Sequence, residues 1–429
     1  MNNRLLIDNF LIFKKAEVDV NKITIFIGPQ ASGKSIVAKL LFVFYNIPNI
    51  IYSVAVDDGK KREFTQRMRK QFADIFPTSS WDKTDFSITF RTDFGKISFS
   101  HEKRKSLTFE MSDYYTAIIN KVLLHGNRKA MHDVSERDYA KYRMARMSWA
   151  ETQIHQCRWG FIDNAGGCIF IPAGRSFFAT LSNNIFTFLS SDNKLDYFLR
   201  DFGMRYEWAR KFYSHPGILT GNFPRNSFDK ICKRMLNAVY SKKFGKEFLI
   251  HGEGDLEVEV KDASSGQQEL LPILFAMSRE NSSFCVVEEP EAHIFPATQS
   301  EIVRYIIKSQ RVLSEEKVLL ITTHSPYILT TLNNLAYAGV LESKLRDEQN
   351  IDAVKKLNDL YSGDERILCG FLSAYYFENG KIKDIVDKET GLINAENLDK
   401  ISTVTDDKFS ELIELELQSN NGASPDGRR

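Results

Sequence analysis

An eight-residue run near the start of the chain has the composition of a phosphate-binding loop. It fits the pattern G-x-x-x-x-G-K-[ST] and reads Gly28, Pro29, Gln30, Ala31, Ser32, Gly33, Lys34 and Ser35. Its glycines let backbone N–H groups approach phosphate oxygens, its lysine reaches the β- and γ-phosphates, and its final hydroxyl is offered to Mg²⁺. A β-branched run precedes the loop and a helical pattern follows, so the positive end of a helix dipole adds to the site.

Two acids follow an apolar run in the second half of the chain. Phe284 to Val287 is a short apolar run typical of a central parallel strand, and Glu288 and Glu289 come directly after it. Ligands of parallel α/β sheets bind at the carboxyl ends of the strands. The first acid can hold Mg²⁺, directly or through water, and the second can orient and polarise an attacking water.

A histidine ends the next apolar run. Val318 to Ile321 is followed by Thr322, Thr323 and His324. A lone histidine is more often an ordinary packed side chain than a functional one. Its place one strand after the acid pair favours an imidazole that reaches the γ-phosphate.

A Ser-Gly-Gln segment lies between the loop and the acid pair. It comprises Ser264 to Glu269, with Gly266 22 residues before Glu288, and opens a helical pattern from Leu270 to Met277. Ser and Gly before a helix are by themselves an ordinary N-cap. The order phosphate loop, Ser-Gly-Gln, acid pair and histidine, however, resembles the ABC-type ATPase superfamily, in particular its RecF, SMC and OLD-like branch. The resemblance covers about residues 1–45 and 165–335.

The resemblance implies ATP and Mg²⁺ as cofactors and a homo-oligomer in which two ATPase heads sandwich ATP. The Ser-Gly-Gln of one head would contact the γ-phosphate of the ATP bound to the other head. Ser265, Gly266 and Gln267 would therefore bind the nucleotide together with the phosphate-loop residues. Carried over in the same way, Glu289, His324 and Lys34 would be catalytic, and Ser35 and Glu288 would hold the metal.

Two further segments match the family pattern. Glu291-Ala292-His293 would be the loop that meets the opposite head, and Pro172 to Arg175 resembles a Pro-Ala-x-Arg element of OLD-like ATPases, to which no role is assigned.

The sequence also departs from the family pattern at three places. Gln30-Ala31 replaces the usual Asn-Gly, Glu288 replaces the commoner Asp, and the metal-contacting Gln loop has no clear counterpart. With these departures the sequence still predicts nucleotide binding, but it does not predict how fast ATP is hydrolysed.

The resemblance predicts an α/β fold: an ABC-type P-loop NTPase head with a mixed central sheet, an antiparallel β subdomain and a helical subdomain. Residues 1–59 and 161–340 would form the ATPase core, with a helical lobe at about 176–245. Residues 60–160 would be a basic β-hairpin and helical insert, 341–418 an acidic C-terminal region and 419–429 a disordered tail.

Charge is distributed unevenly along the chain. The formal net charge of +1 is the sum of 57 basic and 56 acidic residues. Residues 60–160 hold 20 basic and 12 acidic side chains, and residues 341–429 hold 12 and 19. The basic segment makes DNA a candidate partner, although a solvated helical face explains it equally well. The acidic region is expected to contact an effector or another protomer.

Composition indicates a cytoplasmic protein. No apolar run approaches the ~18 residues of a membrane span, so no membrane contact is expected. The five cysteines are scattered and odd in number, which fits a reducing compartment.

Four functions compete on this basis. In the first, the chain is a sensor or switch subunit of bacterial anti-phage defence that resembles AAA-15/AAA-21-type ATPases. Its segment from Tyr376 to Gly391 is similar to the AriA subunits of PARIS systems, which implies a separate Toprim nuclease as effector and a phage protein as trigger. In the second, it is a RecF-like DNA repair or recombination ATPase.

The other two functions are disfavoured. An OLD-type nuclease would need a Toprim domain within the 105 residues after His324, which contain no apolar strand followed by Glu and a D-x-D pair. Asp406-Asp407 fits a solvated helix start better. Ser265 lies 231 positions after Lys34, which leaves room for a large insert that transporter ATPases lack. The effector is therefore expected on another chain.

Overall fold

The computed structural model describes residues 3–129, 139–161, 167–181, 195–214, 225–252, 256–279, 282–310 and 317–394. Its strands are β1 Asn3–Phe10, β2 Phe13–Val20, β3 Ile23–Ile27, β4 Phe86–Thr92, β5 Gly95–His101, β6 Thr108–Met111, β7 Cys168–Ile171, β8 Val239–Lys243, β9 Lys246–His251, β10 Leu256–Glu259, β11 Phe284–Glu288, β12 Val318–Thr323, β13 Leu372–Glu378 and β14 Lys381–Asp384. Its helices are α1 Lys34–Tyr45, α2 Ile47–Val56, α3 Lys61–Ile75, α4 Asp113–Lys129, α5 Tyr139–His155, α6 Phe177–Leu181, α7 Tyr197–Ser214, α8 Arg225–Leu236, α9 Ser265–Arg279, α10 Pro296–Gln310, α11 Pro326–Asp347 and α12 Ile351–Leu360.

A six-stranded mixed sheet carries the candidate site. Its order is β14-β13-β3-β12-β11-β7, and all neighbours are parallel except β14 and β13. Every residue of β3, β11 and β12 is buried, because both faces of the sheet are covered. Phe26 and Val286 face the core that contains α1, whereas Ile25 and Val287 face the core that contains α9, α10 and α11. The predicted mixed α/β fold is confirmed.

A five-stranded antiparallel sheet lies in the same core as α1. Its order is β2-β1-β4-β5-β6, and Ile7 of β1 pairs with Ala16 of β2 and Ile88 of β4. Aromatic side chains fill its inner face, with the Phe72 ring of α3 centred 4.7 Å from that of Phe99. Strands from the segment predicted as an insert at 60–160 therefore complete a sheet that the N-terminal strands begin.

The helices of the predicted lobe at 176–245 pack on the other face of the central sheet. Helices α7 and α8 contact α9, and the chain then enters a three-stranded sheet of order β10-β9-β8. Phe275 of α9 contacts the rings of Tyr206, Phe228 and Tyr240. The C-terminal half of α9 is therefore anchored from several sides.

The predicted boundary at residue 340 does not separate the core from the C-terminal region. Helix α11 runs across it, and β13 lies inside the central sheet, pairing with β3 from Leu372 opposite Ile23 to Tyr376 opposite Ile27. Ala374 and Phe377 are fully buried there. The acidic helix predicted at 407–417 and the tail at 419–429 lie outside the described residues.

Within the described ranges, no single helix is long and apolar enough to cross a membrane. Helices α1 and α2, which are bent by 42° at their junction, reach the length and apolar composition of a span only when they are taken together.

Candidate nucleotide-binding site

The phosphate loop joins β3 to α1, as the sequence predicts. Gly28 has φ of 148°, and a Cβ there would lie 2.2 Å from the carbonyl oxygen of Phe377 in β13, so only glycine fits. Gly33 has φ of 99° and directly precedes α1. Ala31 has φ of 57°, a left-handed conformation that glycine adopts at lower cost. The loop therefore keeps this left-handed residue although alanine stands where the family usually has glycine.

Lys34 folds back onto its own loop. Its Nζ donates hydrogen bonds of 2.8 Å to the carbonyl oxygens of Gly28 and Pro29. Burial lowers the pKa of Lys34, and the carboxylates of Glu289, Glu291 and Glu288 oppose this shift. The ammonium group is therefore held at the loop by weak neutral acceptors that a phosphate can replace.

The loop contains a buried polar atom that suits a phosphate. The Oγ of Ser32 is buried and has no hydrogen-bond partner among the described residues. Such an atom is costly unless a ligand or water satisfies it. Together with the glycine cradle, it fits a bound phosphate group.

Glu288 ends β11 and is 7% exposed. The backbone N–H of Ala173 donates to its Oε2 at 3.4 Å, whereas its buried Oε1 has no partner in the described part of the chain. Burial raises the pKa of Glu288, against a hydrogen bond from Ser35 and the charge of Lys39. A free carboxylate oxygen beside the Ser35 hydroxyl is a donor set that suits Mg²⁺, so these residues fit the ion that the family pattern implies.

Glu289 faces His324 across the ends of β11 and β12. The His324 Nε2 lies 3.1 Å from the Glu289 Oε1, and both side chains are partly accessible, at 28% and 36%. The hydrogen bond from His324 lowers the pKa of Glu289 despite partial burial. The Glu289 backbone has φ of 42°, an uncommon conformation for a residue with a side chain. The carboxylate is therefore held charged and oriented towards solvent.

Glu291 fixes the end of β12. Its Oε1 accepts hydrogen bonds from the Thr323 Oγ1 at 2.8 Å and from the His324 backbone N–H at 2.6 Å. Glu291 belongs to the segment that the family pattern places opposite the second head. In this structure it also positions His324 within its own chain.

The Ser-Gly-Gln segment begins α9. Ser265 is exposed, whereas Gly266 and Gln267 are half-buried. The Gln267 side chain donates to the Leu236 carbonyl at 2.8 Å and accepts from the Ser264 N–H at 3.2 Å. Its contacts therefore anchor the helix start, and the accessible hydroxyl of Ser265 is left at the surface.

Arg175 is the main residue whose role the sequence leaves unassigned. Its side chain is fully buried, and it donates to the backbone carbonyls of Pro172 at 2.7 Å, Glu288 at 2.6 Å and Glu289 at 2.9 Å. The Pro-Ala-x-Arg pattern after β7 is the only local signal for it. Glu288 and Glu289 lie more than a hundred positions further along the chain, so the sequence alone does not connect them with Arg175.

The structure brings Lys34, Ser35, Glu288, Glu289 and His324 together at the carboxyl ends of β3, β11 and β12. The signature residues lie apart at the start of α9. The individual roles of all these residues stay predictions.

Comparison with known proteins agrees with this picture in part. The family AAA_15, described as AAA ATPase domain, matches residues 187–329, which include the Ser-Gly-Gln segment, the acid pair and His324 but not the phosphate loop. No protein with a curated description matches the chain significantly.

Several solved structures align with the chain at low similarity. The SMC head bound to the C-terminal winged-helix domain of ScpA aligns with a TM-score of 0.39 and 12% identity over 89% of this chain and 96% of that one. The SMC head domain from Thermotoga maritima aligns with a TM-score of 0.37 and 10% identity, over 90% of this chain and 98% of that one. The SMC head from Pyrococcus furiosus with an extended coiled coil, bound to the C-terminal domain of ScpA, aligns with a TM-score of 0.37 and 12% identity, over 94% of this chain and 98% of that one. The family match over residues 187–329, taken with the site geometry, supports an ATPase.

Proposed function

We propose that this protein binds and hydrolyses ATP with Mg²⁺, and that ATP is enclosed between two copies of the chain. The observation that carries the proposal is the convergence of Lys34, Glu288 and the Glu289–His324 pair at the ends of neighbouring parallel strands. Ser265 and Gly266 of the second copy would complete the site. Steady-state ATP hydrolysis by the full chain, measured with and without Mg²⁺, tests the proposal directly.

The residues divide the chemistry between them. With ATP and Mg²⁺ bound, Lys34 would contact the β- and γ-phosphates instead of the loop carbonyls, and Glu288 with Ser35 would hold Mg²⁺, which would neutralise phosphate charge. Glu289 orients the attacking water and accepts its proton, because its lowered pKa keeps it ionised. His324 holds the Glu289 carboxylate through Nε2. It would also contact the γ-phosphate, as the resemblance to ABC-type ATPases implies.

Glu288→Gln is expected to raise the Mg²⁺ concentration needed for tight ATP binding by about tenfold or more, because hard cations prefer charged oxygen ligands. The raised pKa of Glu288 adds a pH effect: as pH falls, Glu288 protonates before an ordinary glutamate does, so Mg²⁺-dependent binding weakens early in the wild type. Titration of a fluorescent ATP analogue against Mg²⁺ at several pH values measures both.

The control for this variant is Glu365→Gln, which removes a different buried carboxylate. The Glu365 carboxylate lies 2.7 Å from the Arg304 guanidinium, and neither residue belongs to the candidate site. It should bind ATP with the Mg²⁺ requirement of the wild type. An unchanged requirement in Glu288→Gln would argue that the metal is held by other groups.

We further propose that ATP-driven pairing of the heads acts as a sensor or switch in bacterial anti-phage defence, controlling a separate effector nuclease. The similarity of the segment from Tyr376 to Gly391 to AriA subunits motivates this role, and the AAA_15 match supports its ATPase part. The effector would then be of Toprim type, and a phage protein would release it.

Co-purification with the nuclease encoded by a neighbouring gene tests this role. The full chain is expected to retain the nuclease in ATP and to lose it on phage infection. Contact through the acidic C-terminal region is best examined by truncation after Asn394, because deletion of residues 341–429 would remove β13 from the central sheet. A permease or a recombination gene as the only neighbour would count against defence.

The alternative is a RecF-like repair ATPase that binds DNA through the basic segment. Two surface depressions favour it: Lys61, Arg62 and Arg69 border one on α3, and the other is lined by Lys83, Lys103, Arg104 and Lys105. Among the residues that the structure describes, Lys105 of this set is paired, with Glu102. Clustered basic side chains of this kind are the usual footprint of phosphate contact.

If DNA binds there, its affinity should fall steeply with salt, with a slope of about 0.9 in log units for each phosphate neutralised. The double variant Lys103→Glu, Arg104→Glu should reduce this slope, whereas Lys344→Glu on α11 should not. Fluorescence anisotropy of a labelled duplex over a salt series measures the slope. Binding that does not respond to salt, or no binding, would leave this surface for protein contacts.

A further inference from the structure

The buried guanidinium of Arg175 holds the backbone of the acid pair. Its Nη1 donates to the Glu288 carbonyl oxygen at 2.6 Å and its Nη2 to that of Glu289 at 2.9 Å. These bonds hold the two consecutive peptide groups that flank the Glu289 Cα, and these groups set the position of its side chain. The left-handed backbone of Glu289 is uncommon and persists only where its surroundings hold it. A shift of Arg175 would therefore move the Glu289 carboxylate.

The other side of Arg175 is bound to the helix that carries the Ser-Gly-Gln segment. The Arg175 Nε lies 3.3 Å from Glu269 Oε2, and the same oxygen accepts the Arg175 backbone N–H at 3.1 Å. The Glu269 Oε1 accepts the N–H of Ser176 at 3.0 Å. Glu269 is 2% exposed and lies one helical turn after Ser265. Both carboxylate oxygens of Glu269 therefore contact Arg175 or Ser176.

A second contact joins the same two regions. A Cβ on Gly266 would lie 2.7 Å from the carbonyl oxygen of His293, in the loop that follows the acid pair. His293 has φ of 58°. The start of α9 therefore packs closely against the loop after Glu289 and cannot move independently of it, because packed interiors transmit displacement rather than absorb it.

We propose that Glu269 and Arg175 form a relay within one head, which connects the Ser-Gly-Gln segment to the Glu289 backbone of the same chain. When Ser265 and Gly266 engage ATP on the second copy, the relay positions Glu289 for the ATP bound to its own head. Arg175 is then a positioning residue, and the two ATP sites of the pair are coupled. This inference rests on the proposed ATP sandwich.

The coupling has a kinetic signature. In the wild type, hydrolysis should depend on ATP concentration with a Hill coefficient above 1, because occupation of one site helps to position the carboxylate of the other. Breaking the relay should lower the Hill coefficient to 1. A residue that only supports the fold would lower the rate or the stability without changing the Hill coefficient.

The test uses the full chain and two variants, Glu269→Gln and Arg175→Lys. Glu269→Gln keeps the shape of the side chain and removes its charge, and Arg175→Lys keeps the charge but loses the paired donors. We expect kcat to fall by at least about tenfold in each, since misplacement by 1 Å can cost about 100-fold, while binding of a fluorescent ATP analogue is retained. Glu365→Gln, which breaks the buried pair with Arg304, is the matched control and should leave both kcat and the Hill coefficient unchanged.

Each outcome decides the question. A lower kcat with a Hill coefficient of 1 supports the relay. Variants that keep the wild-type Hill coefficient overturn the coupling, whatever their rate, while leaving the ATPase proposal intact. A wild type that binds the analogue but does not hydrolyse ATP overturns both proposals. If Arg175→Lys fails to fold, as judged by circular dichroism, the milder Glu269→Gln decides the result alone.

Discussion

Lys34→Ala is expected to abolish ATP binding. The Nζ of Lys34 is poised on the carbonyls of Gly28 and Pro29 and would exchange these neutral acceptors for phosphate oxygens. A hydrogen bond between charged groups contributes about 1.5–3 kcal/mol. With two such bonds lost, we expect affinity to fall by at least about 100-fold, since each 1.4 kcal/mol is a factor of ten.

This variant should still fold. Burial lowers the pKa of Lys34, which shows that the folded chain disfavours its charge, so its removal brings little loss of stability. Circular dichroism checks the fold, and isothermal titration with ATP and Mg²⁺ measures the affinity. Lys308→Ala, at an exposed ion pair with Asp364, is the control and should bind as the wild type does. If Lys34→Ala bound ATP with an affinity within a few-fold of that of the wild type, the assignment of residues 28–35 as a phosphate loop would be wrong.

Glu289→Gln is expected to bind ATP and to stop its turnover. The amide keeps a carbonyl oxygen for the hydrogen bond from the His324 Nε2, so the local geometry is retained. It cannot accept a proton from water, and loss of a general base typically costs 10²- to 10⁴-fold in rate. We therefore expect an ATP-bound pair of heads that does not reopen.

Two measurements separate binding from chemistry in this variant. Phosphate release should fall to near background, and size-exclusion chromatography in ATP should show a larger species that ADP does not produce. Glu301→Gln, which alters an exposed pair with Arg234, is the control. If Glu289→Gln hydrolysed ATP at the wild-type rate, another group would have to position the water.

The separate elements of the site are predictable because their signals are local. Continuous apolar runs predict β3, β11 and β12, since strands covered on both faces carry few polar residues. The glycines and the lysine of the phosphate loop are read directly from their spacing. The acid pair and His324 are predicted at strand ends. In the structure the Glu289 Oε1 lies 3.1 Å from the His324 Nε2.

The domain limits are less predictable. Hairpin signals at Phe86 to Phe99 predict strands but not their partner, so they read as an insert. Their pairing with β1 depends on contacts across about eighty positions, which no local pattern encodes. In the same way, the strand predicted at Ser373 to Glu378 carries no sign that it lies beside β3.

Local sequence patterns predict the residues of the candidate site: a phosphate loop, a glutamate expected to hold the metal, a second glutamate and a histidine, each at or next to the end of a strand. Only the folded chain shows how these residues are held. It brings the Phe377 carbonyl against Gly28, and it places Arg175 between Glu269 and the backbone of Glu288 and Glu289. The physical reason is that spacing and hydrophobic period report short-range backbone geometry, whereas a buried arginine finds its acceptors through packing of segments far apart in the chain.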